Sequence, residues 1–150
     1  MGNLLILNGS PRAPRSNSRR YAQIFSSCYG ENTEYFDITK CNHPELCAKL
    51  AGTSHVLFVF PLYADGLPVT LLNFLKSLEA APPQNKPTVS ILINCGFLEP
   101  QQNEMAVEMM RLFCRQNHYP FGSVLKIGSG EAILDSPFRF LAVRKIRRFA

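Results

Sequence analysis

The stretch Asn8-Gly9-Ser10-Pro11-Arg12-Ala13-Pro14-Arg15-Ser16-Asn17-Ser18 concentrates hydrogen-bond donors and contains no carboxylate. Ser10, Ser16 and Ser18 offer hydroxyls, Arg12 offers a guanidinium, and Gly9 permits close approach. Ser16-Asn17-Ser18 are good N-cap residues, so a helix should start there and present its free N–H groups and positive end. A phosphate monoester dianion needs this combination: many donors, positive potential and no competing acid. The spacing is neither G-x-x-x-x-G-K-S/T nor G-x-G-x-x-G, so neither of those nucleotide fingerprints applies. An ordinary turn with a capped helix is the simpler alternative.

Two further stretches suit a flat heteroaromatic ligand, which needs an apolar or aromatic wall and polar groups at its edge. Pro61-Leu62-Tyr63-Ala64-Asp65-Gly66-Leu67-Pro68 carries an aromatic, small residues and a glycine. Tyr63 packed at a sheet edge is the plainer reading. Asn94-Cys95-Gly96-Phe97-Leu98-Glu99-Pro100 pairs an amide with a glycine that lets backbone approach a ring. Glu99 suits a helix N-terminus, and Cys95 suits packing better than chemistry. His43, His55 and His118 lack metal-ligand spacing, so no metal site is expected. No catalytic acid, base or nucleophile is singled out.

The elements that must position these loops alternate between strand and helix patterns. Strands are expected at Asn3–Leu7, Glu34–Ile38, His55–Phe60, Thr88–Ile93 and Gly122–Ile127. His55–Phe60 is continuously apolar, as a central strand covered on both faces should be. A first helix from about Ser16 to Gly30 places Tyr21, Ile24, Phe25 and Cys28 on one face. Pro44–Leu50 is a short second helix. A third starts at Pro68, buries Leu71, Leu72, Leu75 and Leu78, and ends at Pro82-Pro83. A fourth runs from about Gln101 to Gln116, with Met105, Met109, Leu112 and Phe113 on its apolar face. The last, Phe138–Phe149, aligns Phe138, Leu141, Ala142, Ile146 and Phe149.

Five strands and five helices with short connections predict one α/β domain over residues 1–150. Its doubly wound parallel sheet should be flavodoxin-like, in the order 2-1-3-4-5, with helices on both faces. In such a sheet the loops leaving strands 1, 3 and 4 share one crevice at the carboxyl edge. All three candidate stretches are those loops.

Composition is compatible: 150 residues, 46% hydrophobic and 18% charged, suffice for one core without a disulfide or metal staple. No apolar run approaches ~18 residues, and no signal peptide is evident, so a cytoplasmic location is expected. The 5 cysteines, Cys28, Cys41, Cys47, Cys95 and Cys114, are irregularly spaced and should be reduced and mostly buried. The net charge of +5 suits anionic ligands. Arg12, Arg15, Arg19 and Arg20 cluster near one end and Arg139, Arg144, Lys145, Arg147 and Arg148 near the other. No recognition motif accompanies them, so nucleic acid is not an expected partner.

At the "NGSPR" loop, the "FPLYADGLP" segment and the "NCGF" turn, the chain resembles the NADPH-dependent FMN reductase group of flavodoxin-like proteins. The resemblance spans essentially the whole chain. It implies FMN as cofactor and NAD(P)H as co-substrate. It also implies a small electron acceptor (a quinone, an azo or nitro compound, a metal or free flavin) and a homodimer. By the same resemblance, Ser10, Arg12, Ser16, Asn17 and Ser18 hold the phosphate. Pro61, Leu62, Tyr63, Ala64 and Gly66 border the ribityl chain and ring. Asn94, Gly96 and Phe97 complete the ring site. The loop between Arg12 and Ser16 is longer than the group's compact form, which leaves Arg12 and Arg15 interchangeable. Related iron–sulfur flavoproteins carry a cysteine cluster after strand 2. Cys41 and Cys47 are too few for a four-thiolate centre. Two alternatives stand beside the reductase: an FMN-binding electron carrier, and a non-redox module that binds anions or a membrane surface through the last helix.

Overall fold

The computed structural model describes residues 3–64, 66–130 and 132–150. Its strands are β1 (Leu4–Asn8), β2 (Thr33–Asp37), β3 (His55–Pro61), β4 (Thr88–Asn94) and β5 (Phe121–Ile127). Its helices are α1 (Asn17–Cys28), α2 (His43–Ala51), α3 (Val69–Ala80), α4 (Glu104–Gln116) and α5 (Arg139–Phe149). Short 3-10 turns cover Pro100–Asn103 and Ile133–Asp135. The strands form one parallel sheet in the order β2-β1-β3-β4-β5, as the sequence predicts.

Alternation along each strand divides the core between the two faces. Leu5, Leu7, Val56, Phe58, Ile91 and Ile93 pack under α2, α3 and α4. Leu4, Ile6, Leu57, Val59 and Leu92 pack under α1 and α5 with Tyr21, Phe25, Ala142 and Ile146. The central strands are therefore apolar on both sides. Edge strand β2 is only half-buried.

Local chemistry sets the helix starts. Ser16 caps α1 in an extended conformation, its Oγ accepting from Arg19 N–H at 3.1 Å. Pro44 occupies the first turn of α2. Pro68 is the cap of α3 rather than its first residue.

Three expectations need correction. α4 buries Ala106, Val107, Met110, Phe113 and Cys114, while Met105 is 63% and Leu112 43% exposed. The buried stripe is turned by about one residue from the expected one. On α5, Ala142 and Ile146 are buried, but Phe138 and Leu141 face solvent. The cysteines divide as well: Cys95 and Cys114 are buried, Cys28 and Cys47 half-buried and Cys41 exposed. Burial pushes the Cys114 thiol up to about 12.

Candidate functional site

Every strand is parallel, so the loops after β1, β3 and β4 leave the sheet at the same edge. Backbone bonds tie them together there. Gly9 N–H donates to Val59 C=O at 2.9 Å, and Leu62 N–H donates to Asn94 C=O at 2.7 Å. A Cβ on Gly9 would meet Leu71 Cβ at 3.0 Å, so glycine lets the first loop lie against α3.

Asn8, fully buried at the end of β1, organises the first loop. Its Oδ1 accepts from Ser10 N–H at 3.0 Å. Its Nδ2 lies 3.1 Å from Ser16 Oγ, 2.9 Å from Tyr35 Oη and 3.1 Å from Asp37 Oδ1. Tyr35 Oη also donates to Asp37. One amide thus fixes the start of the loop, the cap of α1 and the end of β2. Burial, reinforced by the bond to Asp37, raises the Tyr35 hydroxyl well above the ordinary phenol range. Ser10 is buried, and its Oγ accepts from Arg12 N–H at 3.2 Å, closing the next turn.

The loop walls a cavity of about 330 Å³. Ser10, Arg12, Ser16, Asn17 and Ser18 line it from the β1–α1 side, and Pro61, Leu62, Tyr63 and Asn94 from the other two loops. Ala64, Gly66, Gly96 and Phe97 do not reach its wall. Tyr63 and Gly66 instead pair through two backbone bonds, Tyr63 N–H to Gly66 C=O at 3.1 Å and Gly66 N–H to Tyr63 C=O at 3.0 Å. Ala64 adopts a φ of 46° in this tight turn, a left-handed conformation costly for a residue with a Cβ. Tyr63 stands 54% exposed on the turn and Phe97 56% exposed on the neighbouring loop.

The cavity also takes in Arg15, Arg19 and Arg20 of the basic cluster near the N-terminus, and Gln23, which the sequence did not single out. Four guanidinium groups therefore surround it, and among the described residues no carboxylate lines it. Arg19 lies 3.8 Å from Asp37, outside the wall. Arg20 is held by Asp135, with contacts of 3.1 and 2.8 Å. The Asp135 bond raises the Arg20 pKa and lowers that of Asp135. Arg12 and Arg15 form no ion pair among the described residues. With the N-terminus of α1 at the same place, the arrangement can hold a dianion by charge and hydrogen bonding together.

The opposite wall is braced from behind. Asn94 Nδ2 donates to Ser18 Oγ at 3.2 Å, linking β4 to the start of α1. Tyr21 Oη donates to Gly130 C=O at 2.8 Å, and Gly130 N–H donates to Cys95 C=O at 2.7 Å. Cys95 lies beneath the third loop, its Sγ 3.5 Å from Asn103 Nδ2. That position fits packing. His55 is exposed at the start of β3, with its Nδ1 3.0 Å from Ser54 Oγ. Among the described residues no group of three or more His, Cys, Asp or Glu side chains is arranged to hold a metal.

No protein-family model and no curated protein matches the sequence. Solved structures do. The NAD(P)H:quinone oxidoreductase from Methanothermobacter marburgensis aligns over 98% of this chain and 93% of its own, with a TM-score of 0.75 at 16% identity. An FMN-dependent NADH-azoreductase from Bacillus anthracis, solved with FMN, aligns over 99% and 97%, with a TM-score of 0.72 at 12% identity. A Streptococcus pneumoniae flavodoxin aligns over 98% and 94%, with a TM-score of 0.69 at 12% identity. The strand order, the helices on both faces and these likenesses together establish that the chain has the flavodoxin-like fold.

Proposed function

We propose that the protein is an FMN-dependent NAD(P)H oxidoreductase that passes electrons to a small acceptor such as a quinone or an azo compound. The observation that carries this reading is the acid-free cavity with four arginines at the N-terminus of α1. It fits the terminal phosphate of FMN. In this reading Ser16, Asn17 and Ser18, with Arg12 or Arg15, hold the phosphate. Ser10 shapes the loop around it. Pro61, Leu62 and Asn94 border the ribityl chain. Tyr63, with Phe97 and Gly96 on the adjoining loop, flanks the ring. Ala64 and Gly66 set the turn that presents Tyr63. The quinone reductase and azoreductase likenesses support a redox role, and the FMN in the azoreductase supports this cofactor.

When bound, FMN supplies the hydride and electron chemistry. The protein's own residues bind, orient and shield, and none needs to move a proton. Exposed Arg12 and Arg15 also attract the phosphates of a nicotinamide nucleotide to the crevice mouth. Tyr63, Phe97 and Leu98 leave an exposed apolar rim there. A homodimer is part of this reading, since such a rim is the kind of surface pairing covers.

Turnover tests the proposal. FMN-loaded protein, given NADH or NADPH and a quinone or azo dye, should consume the nicotinamide nucleotide with no other reductase present. Reduction only through a separate reductase would make the protein an electron carrier. No reduction by either route would remove the redox reading.

A further inference from the structure

The chain's net charge of +5 conceals a separation. Residues 1–30 and 136–150 contain no Asp or Glu, and all 11 acidic residues lie between Glu31 and Asp135. The fold gathers the two acid-free stretches. They form α1, its entry loop and α5, which pack together on one face of the sheet. α2, α3 and α4 on the other face balance Glu45, Glu79, Glu104 and Glu108 with Lys49, Lys76, Arg111 and Arg115. The molecule therefore has one face with a net positive charge, on which Asp135 pairs with Arg20.

The centre of that face is the outer side of α5. Arg144, Lys145, Arg147 and Arg148 are exposed there, and none forms an ion pair among the described residues. At the other end of the helix, Phe138 is 60%, Phe140 61% and Leu141 41% exposed. Arg139, Phe140, Val143, Arg144 and Arg147 enclose a shallow groove of about 540 Å³. Complementing the helix dipole accounts for Arg147 and Arg148 in the last turn. It does not account for Arg144, or for two phenyl rings and a leucine held in water at the N-terminal end.

We infer that this face docks on an anionic lipid bilayer. The rings and Leu141 enter the interfacial region while the guanidinium groups pair with lipid phosphates. The apolar side chains cluster at one end of the helix. A single-stranded nucleic acid would instead call for aromatics interleaved along a cationic track. Docking here is separate from the crevice and needs no bound flavin. Among the described residues no helix is long and apolar enough to cross a membrane, so the contact is peripheral.

The chain contains no tryptophan, so Phe140→Trp places a single fluorescent reporter in the groove. The full chain is titrated near physiological salt with vesicles of phosphatidylcholine plus phosphatidylglycerol, and with vesicles of phosphatidylcholine alone. A blue shift with the anionic vesicles only is expected. Adding Arg144→Glu and Arg147→Glu should weaken partitioning roughly tenfold or more. The pair Arg144→Lys and Arg147→Lys should retain it, and melting curves separate lost binding from lost fold. The inference is overturned by no shift with anionic vesicles, by an equal shift with neutral ones, or by full retention in the Glu pair. It is also overturned if a single-stranded oligonucleotide binds this face more tightly than the vesicles do.

Discussion

Replacing Asn8 with alanine is expected to destabilise the protein by about 3 kcal/mol, lowering Tm by roughly 6–12 °C, and to weaken flavin binding at least tenfold. The side chain is fully buried and engaged at both ends of its amide. Alanine leaves Ser10 N–H without its acceptor. It removes the donor shared by Ser16, Tyr35 and Asp37. An unsatisfied buried donor such as Ser10 N–H costs about 1–3 kcal/mol, and the bonds lost by Ser16, Tyr35 and Asp37, which keep their other partners, add to it. The binding loss has a separate cause. The same amide sets the start of the loop after β1 and the cap of α1, so both relax away from the geometry the cavity needs. Calorimetry with an FMN titration reads the two effects separately. An unchanged Tm would show that the network does not support the fold. Wild-type affinity in a destabilised variant would show that it does not shape the site.

Gly130→Ala is the second large effect. A Cβ at position 130 would lie 2.6 Å from Asn94 Cβ, an atom fixed to the strand rather than the far end of a mobile side chain. Either β4 or the loop after β5 must move. Both are held, because Gly130 N–H bonds Cys95 C=O and Gly130 C=O receives Tyr21 Oη. Overpacking of this kind costs about 1–3 kcal/mol. Displacing Asn94 also disturbs its bond to Ser18 on the far side of the cavity. Gly30→Ala is the contrast: a Cβ there meets nothing within 4 Å, and the stability should hardly change. A double-mutant cycle identifies the clash. Asn94→Gly removes the offending atom, so it should cost much less beside Gly130→Ala than alone. Strict additivity would mean that the two positions do not compete for space.

The core strands were legible because β1, β3 and β4 are buried on both faces and need continuous apolar runs. Their direction made the site legible too, since a parallel sheet delivers the loops after β1, β3 and β4 to one edge. Ser10, Arg12, Ser16, Asn17, Ser18, Pro61, Leu62, Tyr63 and Asn94 do meet in one cavity. The remainder depends on distances that no local pattern encodes. Tyr35 and Asp37 reach Asn8 from an edge strand that carries no such signal. Arg20 is held by Asp135, 115 residues away. The α4 stripe was misplaced because Met105 and Leu112 were expected inside with Phe113, and only Phe113 is. Ala106, Val107, Met110 and Cys114 lie inside instead. Gly96 and Phe97 stand outside the wall, and the loop after β4 is tied instead to the segment after β5, with Ser129 N–H donating to Phe97 C=O.

In the proposed function the cavity at the start of α1 takes the phosphate of a flavin. Parallel titrations of the purified protein with FMN and riboflavin test it most directly, because the two ligands differ only in that phosphate. Saturable FMN binding with altered flavin fluorescence is expected. Riboflavin affinity should be weaker by a factor on the order of 100 or more, the worth of two charge-assisted hydrogen bonds. Equal affinities, or no saturable binding of FMN, would contradict that role for the cavity.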